Sequence, residues 1–173
     1  MDDKHISLAH GNGGRYMREL IAVIFARHLS DPNRAGTLDV TLDAAPITLE
    51  DGEPYMTTDG FIVQPLEFPG GDIGSLAVNG TVNDVAMCGA VPRYLSMGLI
   101  LEEGFPIADL KRILASMRKA LDQAGVQLIT GDTKVVPRGA ADKIFINTSG
   151  IGVIPEGVTV SSEGARPGDR IIL

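Results

Sequence analysis

One segment constrains this chain more than any other. Between Pro106 and Gly125, apolar residues recur at Ile107, Leu110, Ile113, Leu114, Met117, Leu121 and Ala124. That spacing lines them up on one stripe of an α-helix. Pro106 suits the first turn, where its missing N–H costs nothing, and Gly125 suits a left-handed stop. A helix that is apolar on one side must lie against another layer. The chain offers that layer on both sides of it, since Arg93 to Leu101 and Val126 to Thr130 read as apolar strands.

Two more helices are expected. Met17, Leu20, Ile21, Ile24, Phe25 and His28 follow the helical repeat until Asp31-Pro32-Asn33 ends it. A second helix runs from about Ile73 to Cys88, with Ile73, Leu76, Ala77, Val85 and Ala86 on or near one face. Gly80 within it costs about 1 kcal/mol unless it permits close packing. Gly89 reads as its C-terminal cap. Strand candidates are Leu38 to Leu42, Ile47 to Leu49, Lys143 to Ile154, and Tyr55 to Val63, the last broken near Asp59-Gly60. Residues 131–142 read as a polar loop. Helices and strands interleave, and several strands look antiparallel. The expected fold is α+β, a two-layer α/β sandwich on a mostly antiparallel or mixed sheet with helices on one face. One domain is expected over 1–155. Residues 156–173 read as a linker and the start of a second domain, cut short at Ile171-Ile172-Leu173.

Composition narrows the function classes. Lys and Arg number 15 against 22 Asp and Glu, a net charge of −7. This argues against a general nucleic-acid binder, whose footprint is basic. A single cysteine, Cys88, excludes an intrachain disulfide framework and fits a reducing compartment. No apolar run reaches the ~18 residues of a membrane helix, and the amino terminus shows no secretory signal. A cytoplasmic protein is the expectation.

The chemistry lies in segments rich in glycine and aspartate. The 21 glycines point to tight turns or to backbone that approaches a ligand. His10-Gly11-Asn12-Gly13-Gly14 precedes a helix, where backbone N–H groups and the helix dipole favour an anion. Its spacing matches neither the P-loop nor the dinucleotide fingerprint, and a loose terminal turn is an equal reading. Asp43 and Asp59 stand near strand ends and suit Mg²⁺, a hard cation, although a turn or cap role is more frequent there. The pair Asn83-Asp84 interrupts an apolar helix and faces either solvent or a site. Thr130-Gly131-Asp132-Thr133-Lys134 places a carboxylate, a hydroxyl and an ammonium together, a kit for phosphate and metal or simply a charged surface turn. Acidic loops with a glycine arm point to a metal–nucleotide site, since a negative chain repels ATP unless Mg²⁺ bridges them.

Taken together, these segments resemble the amino-terminal domain of the aminoimidazole ribonucleotide synthetase superfamily. The likeness rests on Thr57-Thr58-Asp59-Gly60-Phe61, on Pro65 to Gly74, on Gly80-Thr81-Val82-Asn83-Asp84-Val85-Ala86 and on Gly89-Ala90. Leu8 to Gly14, Pro69 to Ile73, Leu101-Glu102-Glu103-Gly104-Phe105-Pro106 and Thr130 to Gly139 are similar to the HypE family of hydrogenase maturation proteins. The resemblance covers essentially the whole chain in one order.

It implies a PurM-like domain that pairs as a homodimer, its sheets joining into a β-barrel with ATP sites near the interface. It implies ATP and Mg²⁺ as cofactors, HypF as the carbamoylating partner and a HypC–HypD complex as the cyanide acceptor. The implied reaction is ATP-dependent dehydration of a cysteine S-carboxamide to a thiocyanate, the cyanide source for [NiFe]-hydrogenase iron. Carried over residue by residue, Asp43, Asp59 and Asp84 are the metal and phosphate carboxylates. Gly11, Asn12, Gly13, Gly14, Thr58, Asn83 and Thr133 are nucleotide-binding, and Asp132 and Lys134 are catalytic. Three positions depart from the pattern. Ser75 replaces a common lysine, Leu42-Asp43 replaces an Asp-Asp pair, and Asn12 replaces a serine. Cys88 lies in the second helix, is not the carbamoylated cysteine and is expected to be packed. The chain is expected to hold much of the ATP site and to be inactive alone. Two other readings stay open: an enzyme of the selenophosphate synthetase or thiamine monophosphate kinase type, or a non-catalytic dimerisation module.

Overall fold

The computed structural model describes residues 3–30, 47–49 and 52–171. The strand expected over Leu38 to Leu42 and the aspartate Asp43 fall outside those residues. Helix α1 is one run in three parts, helical over Arg15–Leu20, wider in its winding over Ile21–Ala26, and helical again over Arg27–Leu29. Strand β1 spans Glu53–Phe61, and the short strands β2 (Glu67–Phe68) and β3 (Gly71–Asp72) pair with each other. Helix α2 (Ile73–Met87), strand β4 (Val91–Glu102), helix α3 (Ile107–Ala124), strand β5 (Gln127–Val136) and strand β6 (Ile144–Ile154) follow.

The amphipathic stripe forms α3 and is buried as expected. Leu110, Leu114, Met117 and Leu121 are fully inaccessible, each contributing about 2 kcal/mol of apolar burial. Gly125 stops the helix at φ 68. The main sheet has the order β1-β6-β4-β5. β6 runs antiparallel to both β1 and β4. β4 and β5 are parallel because α3 carries the chain back to the starting end of the sheet. Residues of α1, α2 and α3 join Leu95, Leu99, Leu101, Ile144 and Ile146 of the sheet in one core. The sheet is thus mixed, with helices on one face, in agreement with the expected α+β sandwich.

The structure corrects the sequence reading at four points. β1 passes unbroken through Asp59 and Gly60, because both pair with β6, at Thr148 and Asn147. The expected loop after Thr130 is strand as far as Val136, since the long β4 extends a parallel edge beside it. Gly131 makes that approach possible, as a Cβ there would lie 2.5 Å from the Met97 carbonyl oxygen. Ile47 to Leu49 is not a strand; its one described tie is the Thr48 carbonyl, which accepts from the Tyr94 hydroxyl at 2.9 Å. Cys88 is exposed at the end of α2 rather than packed.

Candidate functional site

The acidic residues meet where α2 crosses β1. Thr57 and Asp59, two residues apart on a strand, share the face toward α2. Gly80 and Asp84, one helical turn apart, face them. The Thr57 hydroxyl donates to Asp84 Oδ2 at 3.3 Å. Asp59 Oδ2 lies 3.8 Å from where a Cβ on Gly80 would be. Asn83 and Asp84 are exposed, whereas Thr81 and Val85 on either side of them are buried. The polar pair in an apolar helix therefore faces outward, beside Asp59.

Glycines bring the helix this close. A Cβ on Gly80 would strike the Phe61 ring at 2.8 Å, which is the close packing that outweighs its poor helix propensity. On β6, a Cβ on Gly150 would strike Thr81 at 2.8 Å, and one on Gly152 would strike Val85 and lie 2.7 Å from the Val91 carbonyl oxygen. A buried polar contact fixes the rotation of α2. Thr81 and Thr148 share a hydrogen bond between their hydroxyls, and Thr148 reaches the Ala77 carbonyl at 3.3 Å. Thr148 sits directly beside Asp59 in the ladder. Sequence reasoning did not single out Thr148; its signal was a polar run, Asn147-Thr148-Ser149, inside an apolar strand.

The start of α2 is a reciprocal cap. The Ser75 N–H donates to Asp72 Oδ1 at 2.8 Å, and the Asp72 N–H donates to Ser75 Oγ at 3.0 Å. Ser75, where the resemblance leads one to expect lysine, thus closes the helix end.

Other assigned residues lie on the opposite face of the sheet, which no helix covers among the described residues. Laterally paired residues share a face, which groups Thr58 with Ser149, Ser96 and Thr130, and Asp132 with Gly98, Asn147 and Gly60. Ser149 Oγ donates to Thr58 Oγ1 at 3.1 Å, and Thr58 in turn donates to the Thr148 carbonyl at 3.1 Å. Lys134 Nζ pairs with Asp132 Oδ2 at 2.9 Å, with both side chains more than half exposed. The Lys134 ammonium, the first cause, and the Thr133 N–H hold the Asp132 carboxyl below the usual carboxylate range, against a partial opposing effect of burial. Thr133 alternates to the inner face and is buried.

The glycine arm stands at the far edge, on β5. A Cβ on Gly11 would lie 2.7 Å from Val135 Cβ. The Gly14 N–H donates to Asn12 Oδ1 at 3.1 Å, and the Gly13 N–H meets only the Met17 sulfur, at 3.2 Å. Asp59 and Asp84 are therefore gathered at the β1 edge. The base of the arm, Thr133 and the Asp132–Lys134 pair belong to the β5 edge, three strand spacings or about 14 Å away. Among the described residues, no group of three His, Cys, Asp or Glu side chains converges as a metal site.

The remaining motif residues line a separate hollow of about 620 Å³ between β2 and the start of α3. Glu102 ties the β5–β6 connection to the end of β4, accepting from the Gly139 N–H at 2.5 Å and the Lys143 N–H at 3.3 Å. Arg112 pairs with Glu67 at 2.9 Å and Asp109 at 2.8 Å. Those partners, Glu67 foremost, raise its pKa further.

A mixed sheet covered by helices on one face, with an acidic strand–helix crossing at one edge and a glycine arm at the other, is the architecture of a PurM-like amino-terminal domain. The chain belongs to the AIR synthase related protein family, whose N-terminal domain pattern matches residues 41–154. It is 55% identical over 168 residues to "Carbamoyl dehydratase HypE" of Azotobacter vinelandii, covering 97% of this chain and 48% of that protein. Its fold matches the crystal structure of hydrogenase maturation protein HypE in complex with ATP at a TM-score of 0.85, with 54% identity over 94% of this chain and 47% of that one. It also matches a chain of the HypE–HypF complex at a TM-score of 0.65, with 49% identity over 90% of this chain and 47% of that one. The likeness to HypE read from the motifs is thereby borne out. The chain spans about half the length of the curated relatives it matches. Among the described residues, no helix is long and apolar enough to cross a membrane.

Proposed function

We propose that this chain is the ATP-binding part of a HypE-type carbamoyl dehydratase that serves hydrogenase maturation. The observation that carries the reading is the β1–α2 crossing, where Asp59 and Asp84 are presented together in a fold that matches a HypE seen with ATP. In the whole protein, residues 1–155 form the nucleotide domain and 156–173 lead into the next. Asp59 and Asp84, with the Thr57 hydroxyl beside them, would hold Mg²⁺, a hard cation that takes oxygen ligands. When bound, Mg²⁺ neutralises phosphate charge that the acidic surface would otherwise repel. Asp43, at a place outside the described residues, is proposed as a further carboxylate of that site. Gly11, Asn12, Gly13 and Gly14 present backbone N–H groups to the phosphates. Thr58, Asn83 and Thr133 are proposed as nucleotide contacts.

The reaction proposed is activation of an S-carboxamide oxygen by the ATP phosphoryl group. The oxygen takes the γ-phosphoryl group as ADP leaves and one N–H proton is lost; loss of phosphate and of the second N–H proton then leaves a thiocyanate. Lys134 and Asp132 are proposed to stabilise charge and move a proton on the open face. A homodimer that closes two open faces into a barrel would gather the two edges into one site. HypF is the proposed carbamoyl donor enzyme, HypC–HypD the cyanide acceptor, and the cytoplasm the compartment.

The test uses the full-length protein. Calorimetry with Mg²⁺ and a nonhydrolysable ATP analogue should show saturable binding, and ATP turnover should require the carbamoylated cysteine tail. Turnover on a free small substrate would instead place the protein with the selenophosphate synthetase or thiamine monophosphate kinase type. Absent binding by the dimer would leave a dimerisation module.

A further inference from the structure

His10 stands directly before the glycine arm, has no task in the nucleotide reading, and has unusual surroundings. Its side chain is 1% exposed, although it immediately precedes the glycine arm. The Ser7 backbone N–H, which can only donate, points at His10 Nδ1 at 3.0 Å, and the Ser7 hydroxyl lies 3.0 Å from the same atom. Nδ1 is thus an acceptor and carries no proton, which assigns the proton of the neutral ring to Nε2. The His10 N–H donates back to the Ser7 carbonyl at 3.0 Å, so residues 7–10 close on themselves. Among the described residues, His10 Nε2 has no hydrogen-bond partner; an Asp3 carboxylate oxygen lies 3.7 Å away. The Tyr16 ring stands edge-on to the imidazole at 5.7 Å.

A buried donor without an acceptor is costly, and native proteins retain few of them. The rest of the arm shows what this one accompanies. Gly11, next in the chain, is pressed against Val135 with no room for a Cβ. Gly13 and Gly14, two residues further on, hold their N–H groups on weak local acceptors, a thioether and a neighbouring side-chain amide. The arm is fixed at His10–Gly11 and exchangeable at Gly13–Gly14.

We propose that His10 is the positioning residue of the arm. Its Nδ1 pins the 7–10 turn so that Gly11 seats on β5 and the Gly13 and Gly14 N–H groups face the phosphates. Its Nε2–H gains the Asp3 carboxylate as acceptor when the arm closes, a shift smaller than the width of an atom. This rests on the nucleotide reading above; the test separates the two.

In the full-length protein, His10→Asn keeps an acceptor at the Nδ1 position, whereas His10→Gln places its amide where Nε2 was. Calorimetry with Mg²⁺ and the ATP analogue should show His10→Gln, which loses the bond that pins the turn, weaker by about tenfold, and His10→Asn, which keeps that bond and loses only the one formed on closure, weaker by about threefold. Turnover at saturating ATP should change little, so the loss falls on KM. Nitrogen-15 spectra of the imidazole give a readout that needs neither variant to fold. They should show an unprotonated Nδ1 in the free protein, and the Nε2 proton moving downfield when the analogue is added. Wild-type protein that binds no nucleotide overturns the nucleotide reading. Wild-type binding with the two variants equally affected, or a ring protonated on Nδ1, overturns the role of His10 alone.

Discussion

The two edges of the sheet are built in opposite ways. At the β1 edge, glycines on both layers let α2 sit hard against the strands, and a buried threonine pair fixes its rotation. Asp59 and Asp84 are exposed or half-exposed tips on a rigid frame. At the β5 edge, Asp132 and Lys134 are more than half exposed and pair with each other, beside an arm whose donors are loosely held. The difference teaches where geometry is preset. Carboxylates that repel one another need a frame to stay close, whereas an arm with the proposed task of admitting and releasing phosphate needs exchangeable partners.

The sharpest way to break this comparison is to attack the frame. In Gly152→Ala, the new methyl meets Val85 and the Val91 carbonyl oxygen, and backbone cannot move as a side-chain tip can. Overpacking of this kind should destabilise by about 3 kcal/mol, read as a thermal midpoint lower by roughly 6–12 °C. Gly13→Ala at the other edge has open space around it and should cost only the strain of its φ of 78, about 1 kcal/mol. Equal losses at the two positions would mean that the edges do not differ in rigidity.

Removing the threonine contact probes the same frame more gently. Thr148→Val leaves Thr81 without its partner in the core and should lower stability by about 1–2 kcal/mol. Adding Thr81→Val should recover part of that loss, because two apolar groups leave no orphan hydroxyl. A double variant whose losses simply add would show the hydroxyls to be uncoupled.

How much of this was legible in the sequence differs between the edges for the same reason. The spacing of Ile107 through Ala124 declared α3, and Asp59 with Asn83-Asp84 offered an acidic site beside the commoner turn or solvent roles, because periodicity and residue type are local properties. That Gly80, Gly150 and Gly152 are close approaches was not legible, since a glycine in an element reads equally as weakness or as contact until its neighbour is known. The strand through Asp132 was missed because its polar composition reads as a loop. An edge strand tolerates polar side chains once a partner such as β4 supplies the ladder. His10 was legible as a residue beside the arm, but its burial depends on tertiary packing.

Asp84 tests what the frame is for. Its side chain is exposed and its bond to Thr57 is long. Asp84→Ala should therefore leave the midpoint within about 2 °C while weakening Mg²⁺-nucleotide binding by about tenfold or more in the full-length protein. A large fall in midpoint with unchanged affinity would make Asp84 a structural residue.

The smallest effect is at the other edge, and it bears on whether the open face stays open. Lys134 lowers the pKa of Asp132 in the folded chain relative to the unfolded one. A group with a lowered folded pKa adds stability above its unfolded value, near 3.9 for aspartate. That contribution fades as pH falls through the folded value. Both side chains are solvated, so the difference between wild type and Asp132→Asn at neutral pH should be within about 0.5 kcal/mol. It should shrink further in about 1 M salt, where the screening length is a few ångströms. Urea unfolding of wild type and variant across acid and neutral pH, at low and high salt, measures it. A difference well above 1 kcal/mol that survives salt would mean the pair is shielded from water. The pair is more than half exposed in the single chain, so a second molecule packed over it would be such a shield. The measurement repeated across protein concentrations would then separate an exposed surface pair from one closed inside a dimer.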